Sequence, residues 1–303
     1  MDIKQKPEYF QVKEVLDLKL TDTGSFTYAI LKKKKYNTMD ALQIISKSLR
    51  LNLKEIGYAG NKDRQAVTFQ YISLPRIKKE KINELKIKDI SLKFIGYGNK
   101  RIVLGDLKGN KFKIKFPYNL KKTNFCENYF DEQRFGINSN NNELGKLILK
   151  KDFKKLNSLI EKPKDRHEEN IKMRFYFNSY QSYLFNLCLS EYLLKYDHLE
   201  KDYSLGKFIF LKKKIKNFQI PLLNFDTELK GEIGIIYKKI MKKENIKLND
   251  FIVRQMPFLI SDTLYRDAFF EIKDLIKKED YIYFTLPKGS YATIFLKKLM
   301  LNT

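Results

Sequence analysis

In "KFKIKF", residues 111–116, Phe112, Ile114 and Phe116 alternate with lysines. Such a period of two fits a β-strand with one buried face, and it limits the surrounding chain to a sheet. Upstream, "EYFQVKEVLDLKL" and "SFTYAIL" have strand character and are joined by "TDTG", whose Gly24 accepts positive φ, so residues 8–31 are expected to form a hairpin. "RIVLG", residues 101–105, reads as another strand, separated from KFKIKF by "DLKGN". Between these strands Met39, Leu42, Ile45 and Leu49 recur at helical spacing behind Thr38, the expected N-cap. The first half is therefore expected to be α+β with antiparallel pairing.

The texture changes at about residue 138, where the polar "NSNNNE" leads into lysine-rich helical segments. "FNSYQSYLFNLCLSEYLLKY" sets Phe177, Tyr180, Leu184, Leu187 and Cys188 on one helical face, with Asn178 or Ser179 as its expected cap. Near the C-terminus come a strand, "YIYFTL", a turn, "PKGS", and a helix, "YATIFLKKLML", so residues 264–303 are expected to rejoin the first domain. A chain of 303 residues, 43% of them apolar, is long enough for two domains with buried cores.

Charge narrows the class of partner. Sixty Lys and Arg face 36 Asp and Glu, a formal net charge of +24, which points to a polyanion and first of all to nucleic acid. Drift toward lysine codons would raise glutamate too, and the acidic residues have not kept pace. Cys126 and Cys188 are too few for a disulfide framework or a cysteine zinc site, which suits a reducing cytoplasm. His167 and His198 lie far apart in polar surroundings, which speaks against a metal site and against a Ser-His-Asp relay. The N-terminal "MDIKQKPEYF" carries charges where a signal peptide has an apolar core, and no apolar run approaches the roughly 18 residues of a membrane span, so a soluble protein is expected.

The stretch "GYAGNKDRQAVTFQYISL", residues 57–74, sets Asp63 between Lys62 and Arg64 in a turn between apolar runs. Asn61, Lys62 and Asp63 are contiguous, so this is not the Asn-Lys-x-Asp spacing that reads guanine. "LGKLI" at 144–148 lacks the upstream glycine and the following Ser or Thr of a phosphate loop. On its own, an aspartate in such a turn is most often simply solvated.

The context changes that reading. Gly60, Lys62, Asp63, Arg64, Ala66, Val67, Thr68 and Gln70 resemble the G-x-K-D-[KR]-x-A-V-T-x-Q signature of the TruD family of pseudouridine synthases. "NYFDEQRFG" at 128–136, "NSYQSYLFN" at 178–186 and "LPKGSYAT" at 286–293 are similar to family blocks in the same order, and "PEYFQVKE" and "LGDLKGNKF" extend the likeness over nearly the whole chain. Two departures stand out. Gln65 replaces the usual His two residues after the aspartate, removing a proton carrier at neutral pH, and Asp131 replaces the glycine common after NYF.

The resemblance implies an α+β pseudouridine synthase fold with a largely antiparallel sheet and flanking helices, formed by residues 1–148 and 264–303, with an α-rich insertion at 149–263. It implies isomerisation of a uridine in tRNA, usually position 13 in the D-arm, to pseudouridine. That reaction involves no redox change, so no cofactor and no metal is expected. Asp63 is the implied catalytic carboxylate, Asn128 and Phe130 match residues lining the uridine pocket, and Lys4 matches an active-site lysine. Lys62 and Arg64 are expected to keep Asp63 ionised and to steer phosphate toward it. Lysine clusters at 32–35, 121–122, 212–214, 238–239, 242–243 and 277–278 together suit a phosphate track. The competing reading is a non-catalytic RNA-binding or RNA-chaperone protein on the same fold.

Overall fold

The computed structural model describes residues 6–136 and 140–301. Its main elements run β1 (Phe10–Val15), β2 (Phe26–Lys33), α1 (Thr38–Leu49), β3 (Gly57–Tyr58), β4 (Val67–Pro75), α2 (Lys79–Asn83), β5 (Ile90–Gly98), β6 (Gly109–Lys115) and β7 (Phe125–Glu127). They continue with α3 (Asn141–Leu149), α4 (Phe153–Leu159), α5 (Arg166–Leu193), β8 (His198–Tyr203), β9 (Gly206–Leu211), β10 (Gln219–Pro221) and α6 (Gly231–Glu244). The last are β11 (Tyr265–Asp267), β12 (Phe269–Glu271), β13 (Lys273–Lys278), β14 (Tyr281–Pro287) and α7 (Ala292–Leu301). The chain divides into two compact units, 1–124 with 271–289 and 125–270 with 290–303.

The first unit is built on one sheet in the order β13-β14-β6-β1-β4-β2-β5, with β3 added beside β4. Every pairing is antiparallel except β1 with β4. The hairpin expected over residues 8–31 does not form: β4 lies between β1 and β2, satisfying the backbone groups that the two would otherwise exchange. Residues 101–105 are likewise not a strand. They form a turn, and the strand of this region is β5. One face of β2, β4 and β5 carries Ala29, Leu31, Ile72, Leu74 and Leu92 against Ala41, Leu42 and Ile45 of α1. The cap of α1 is Asn37, whose side chain accepts from the Asp40 amide at 2.8 Å, and Thr38 begins the helix with its hydroxyl turned elsewhere.

The second unit gathers α3–α7 around short two-stranded sheets, β7 with β12, β8 with β9 and β10 with β11. Helix α5 begins at Asp165, whose side chain accepts from the Glu168 amide at 2.8 Å, so the expected caps Asn178 and Ser179 sit inside it. The apolar stripe is core as expected, with Phe177, Tyr180, Leu184 and Cys188 buried. Gly145, in the stretch compared with a phosphate loop, serves packing: a Cβ there would run into the Tyr176 carbonyl of α5. Glu127 of β7 and Lys298 of α7 form an ion pair at 3.0 Å with both side chains almost wholly buried. The Glu127 carboxylate also accepts the Leu211 amide at 2.8 Å, so the two charges are hydrogen-bonded where they are desolvated.

These compact units do not divide where the sequence modules were expected to, at 148/149 and 263/264. Strand β14 belongs with the first sheet, through its full pairing with β6, while α7 falls in the second unit with β7.

Candidate active site

The turn carrying Asp63 is held by three side chains of its own unit. Lys33, fully buried at the end of β2, donates from Nζ to the carbonyls of Tyr36 at 2.8 Å, Asp63 at 3.0 Å and Lys62 at 3.2 Å. Thr38 Oγ1 accepts the Lys62 amide at 2.8 Å and donates to Gln70 Oε1 at 3.0 Å, and Gln70 Nε2 reaches back to the Gly60 carbonyl at 3.3 Å. The end of β2, the start of α1 and β4 are thus each tied to the backbone of the turn. Asp63 itself is half-buried, and its Oδ1 accepts the Gln65 amide at 2.9 Å, the local turn that aspartate favours. The carboxylate is held by its backbone, while the side chain remains partly accessible.

Lys62 does not do what the sequence suggested. Its ammonium lies 2.5 Å from Glu14 of β1, with side-chain exposures of 7% and 0%, so it anchors the turn to the sheet instead of facing phosphate. Glu14 Oε2 also accepts the Tyr71 amide at 2.9 Å. Burial raises the Glu14 carboxyl above its usual range, and the Lys62 charge opposes that shift. Arg64 is exposed, with Nε bonded to the Lys35 carbonyl at 3.1 Å, and stays on the wet side of the turn. Gln65, in the place of the family's histidine, is exposed, and its backbone amide closes the Asp63 turn. Lys4 lies outside the described residues.

Burial pushes the Lys33 ammonium down to about 8, the nearby Asp63 charge resisting and Lys62 adding to the fall. The sign of its linkage follows. Between about 8 and the ordinary 10.5 the unfolded chain holds the Lys33 proton more firmly than the folded one, so this residue makes stability rise with pH across that window and contributes no slope below it. Urea melts from pH 7 to 10 should show that upward slope in the parent protein and lose it in Lys33→Met. An equal slope in both would refute the assignment.

In the second unit, Asn128 and Phe130 are both buried and form a separate cluster. The Asn128 amide donates to the Ala268 carbonyl at 2.8 Å and its Nδ2 to the Asp267 carbonyl at 3.0 Å. Arg266 donates to the Asn128 carbonyl at 2.8 Å and to its Oδ1, and its guanidinium lies 4.2 Å from the Phe130 ring centre. Asn186 clamps the Phe130 backbone through both its amide groups, and Phe185 and Tyr291 meet the ring edge-on at 5.5 and 6.2 Å. Burial lowers the Arg266 guanidinium to about 10, and the Arg134 charge adds to the fall. Asp131, the residue in place of the family's glycine, is ion-paired with Lys297.

Sequence reasoning gave no role at the site to Glu14 and Gln70 in the first unit or to Arg266, Arg134 and Tyr291 in the second; it took Thr38 as the cap of α1 and placed Lys33 in the 32–35 phosphate track, whereas Lys33 is fully buried and bonded to the turn. Lys33 had one available signal: Thr27, Ala29 and Leu31 alternate toward it along β2, which puts it on the covered face. Among the described residues no group of three or more His, Cys, Asp or Glu side chains is arranged to hold a metal ion, and no helix is long and apolar enough to cross a membrane.

Comparison with known proteins adds an independent line. Residues 1–174 and 207–299 match the family described as tRNA pseudouridine synthase D (TruD). A tRNA pseudouridine synthase D of Aquifex aeolicus is 30% identical over 98% of this chain and 97% of its own length. A Methanocaldococcus jannaschii protein called "Probable tRNA pseudouridine synthase D 2" is 31% identical over 100% of this chain and 92% of its own. The crystal structure of a Methanosarcina mazei chain assigned as a tRNA pseudouridine synthase D superposes with a TM-score of 0.68 at 22% identity, covering 99% of this chain and 93% of that one, which shows a shared fold.

Proposed function

The chain belongs to the TruD family of tRNA pseudouridine synthases, and from that premise we propose that Asp63 is the carboxylate with which it turns a uridine of tRNA into pseudouridine. In that isomerisation the N1–C1′ bond breaks, the uracil rotates and C5 bonds to the same C1′; C5 gives up a proton, N1 takes one, and no electrons leave the molecule. Attack at C1′ and removal of the 2′ proton both call for an ionised carboxylate fixed beside the sugar. The observation that carries the reading is the Asp63 turn, which keeps Lys62, Asp63 and Arg64 of the family signature with Gln65 in place of the usual His, and whose backbone is fastened by Lys33 and Thr38. Lys62 serves in that fastening, through Glu14, and the exposed Arg64 meets RNA phosphate. Asn128 and Phe130 contact the target uridine, and Lys4 acts beside Asp63, on the strength of the motif match alone.

The target is position 13 in the D-arm, as is usual in the family, and the enzyme works in the cytoplasm, where its tRNA substrate is found. Residues 1–148 and 264–303 carry the chemistry, and 149–263 orients the RNA. The lysine-rich character of 149–263 supports that assignment. Incubating purified protein with unmodified tRNA and mapping pseudouridine tests the whole reading. Conversion at a single uridine is expected, and tRNA binding without any conversion would replace the enzyme by the RNA-binding alternative.

With a net charge of +24, affinity for tRNA should fall steeply as salt rises. A log–log slope steeper than about −3 is expected, because each neutralised phosphate releases counterions. A slope near zero would contradict recognition through phosphates.

A further inference from the structure

Adjacent residues of a strand point to opposite faces, so the sheet face opposite the one Lys33 enters is defined by Lys32. On it, cross-strand neighbours form a single row: Thr285, Lys111, Lys13, Phe69, Lys32 and Ser91, across β14, β6, β1, β4, β2 and β5. The flanking rows on the same face hold Tyr283, Lys113 and Gln11 on one side and Lys93, Ile30 and Tyr71 on the other. A trough of about 550 Å³ is lined by five of these lysines, 13, 32, 93, 111 and 113, together with Phe69 and Tyr283. Lys113 is half-buried and the other four lysines are exposed.

This face is costly on its own. Lys13 and Lys111 stand directly opposite each other, an arrangement of like charges that destabilises a strand pair. Among the described residues no carboxylate pairs with any of the five. Two of the ammonium groups lie over rings instead: Lys32 is 5.7 Å from the centre of Phe69, and Lys113 is 4.7 Å from that of Tyr281 and 5.7 Å from that of Tyr283. Repelling cations interleaved with half-buried aromatics, and with no carboxylate partner among the described residues, match a chain of phosphates bearing stackable bases.

We propose that this lysine–aromatic sheet face is a second RNA-contact surface, which grips the backbone of the tRNA away from the target nucleotide. The proposal rests on the tRNA-modifying reading above. Such contacts set register and orientation without reading sequence.

The test compares K13Q/K32Q/K93Q/K111Q/K113Q with a control of equal charge change, K78Q/K79Q/K81Q/K86Q/K88Q, whose lysines lie exposed around α2. Binding of an unmodified tRNA transcript is measured by anisotropy over a salt series. The face variant should bind roughly tenfold or more weakly near 0.15 M salt, with a log–log slope shallower by about 2 to 3, while the control moves much less. Equal weakening by both sets would reduce the effect to net charge and overturn the proposal. So would a face variant with unchanged affinity and slope, or one whose only loss is binding to anionic lipid vesicles. If the fivefold variant fails to fold, K13Q/K111Q gives the same readout with a smaller shift, since it removes an opposed pair of charges. Pseudouridine formation by the parent protein is scored separately. A parent that binds through this face but does not convert tRNA would remove the proposed activity and leave the surface standing.

Discussion

Asp63→Asn is expected to abolish pseudouridine formation while folding and tRNA binding survive. Asparagine keeps the oxygen that accepts the Gln65 amide at 2.9 Å, so the local turn has no reason to open. What disappears is the negative charge, and a neutral amide can neither attack C1′ nor take the 2′ proton. The loss should be on the order of 10⁴-fold or more in single-turnover rate, about 5 kcal/mol of transition-state stabilisation. Affinity should hold or rise slightly, because an acid has been removed from among phosphates. Saturating enzyme in single turnover takes binding out of the comparison, and conversion at the parent rate would end the catalytic assignment of Asp63.

Lys33→Met should give the second largest effect, although Lys33 is placed to act only through the backbone of the turn. Methionine keeps an unbranched stem on the covered face but leaves the carbonyls of Tyr36, Lys62 and Asp63 without their shared donor. The Asp63 carboxylate then wanders from its place, and misplacement by about an ångström is worth roughly 100-fold in rate. The variant also relieves the burial of a charge, so the stability loss should stay at about 1–3 kcal/mol, below the sum for three charged hydrogen bonds. The positioning role is identified by the split: kcat falls while Kd for tRNA stays within about twofold, since Lys33 is buried and phosphate contacts dominate that affinity. A loss of stability with parent-like kcat would mark Lys33 as structural only.

Local pattern carried much of this structure and missed what depends on distant partners. The alternation of Phe112, Ile114 and Phe116 and the strand-then-helix order at the C-terminus appear as β6, β14 and α7. The hairpin failed because nothing within residues 8–31 records that β4, made some 40 residues later, takes the place between its strands. The start of helix α5 is missed because its first turns, Arg166–Arg174, are mostly charged or polar and, apart from Met173, exposed or half-buried, and so show little apolar periodicity. At the proposed site, Asp63 is singled out by its motif. Lys33 sits in a run of four lysines and is told apart only by the parity of its strand position, while Lys62 and Glu14 meet through strand pairing that sequence does not display. The two buried residues Asn128 and Phe130 are singled out by their block, whereas Arg266, far along the chain, carries no local mark of its contact with them.

The pairing of β14 with β6 also sets an order of birth. Strand β6 is complete at Lys115, but its partner begins at Tyr281, so a ribosome must first make everything in between, including nearly all of the second unit. Until then β6 is a raw edge on which Phe112 and Ile114 have no neighbour on that side, in a sheet whose contacts already span long loops. The nascent chain therefore passes through a stage in which the sheet lacks β14 and the second unit still lacks α7, and that exposed edge is where misassembly would begin. On that side of the finished sheet the outer strand is β13, and Lys273, Lys277 and Lys278 along it guard the edge, while β5 ends the sheet on the other side.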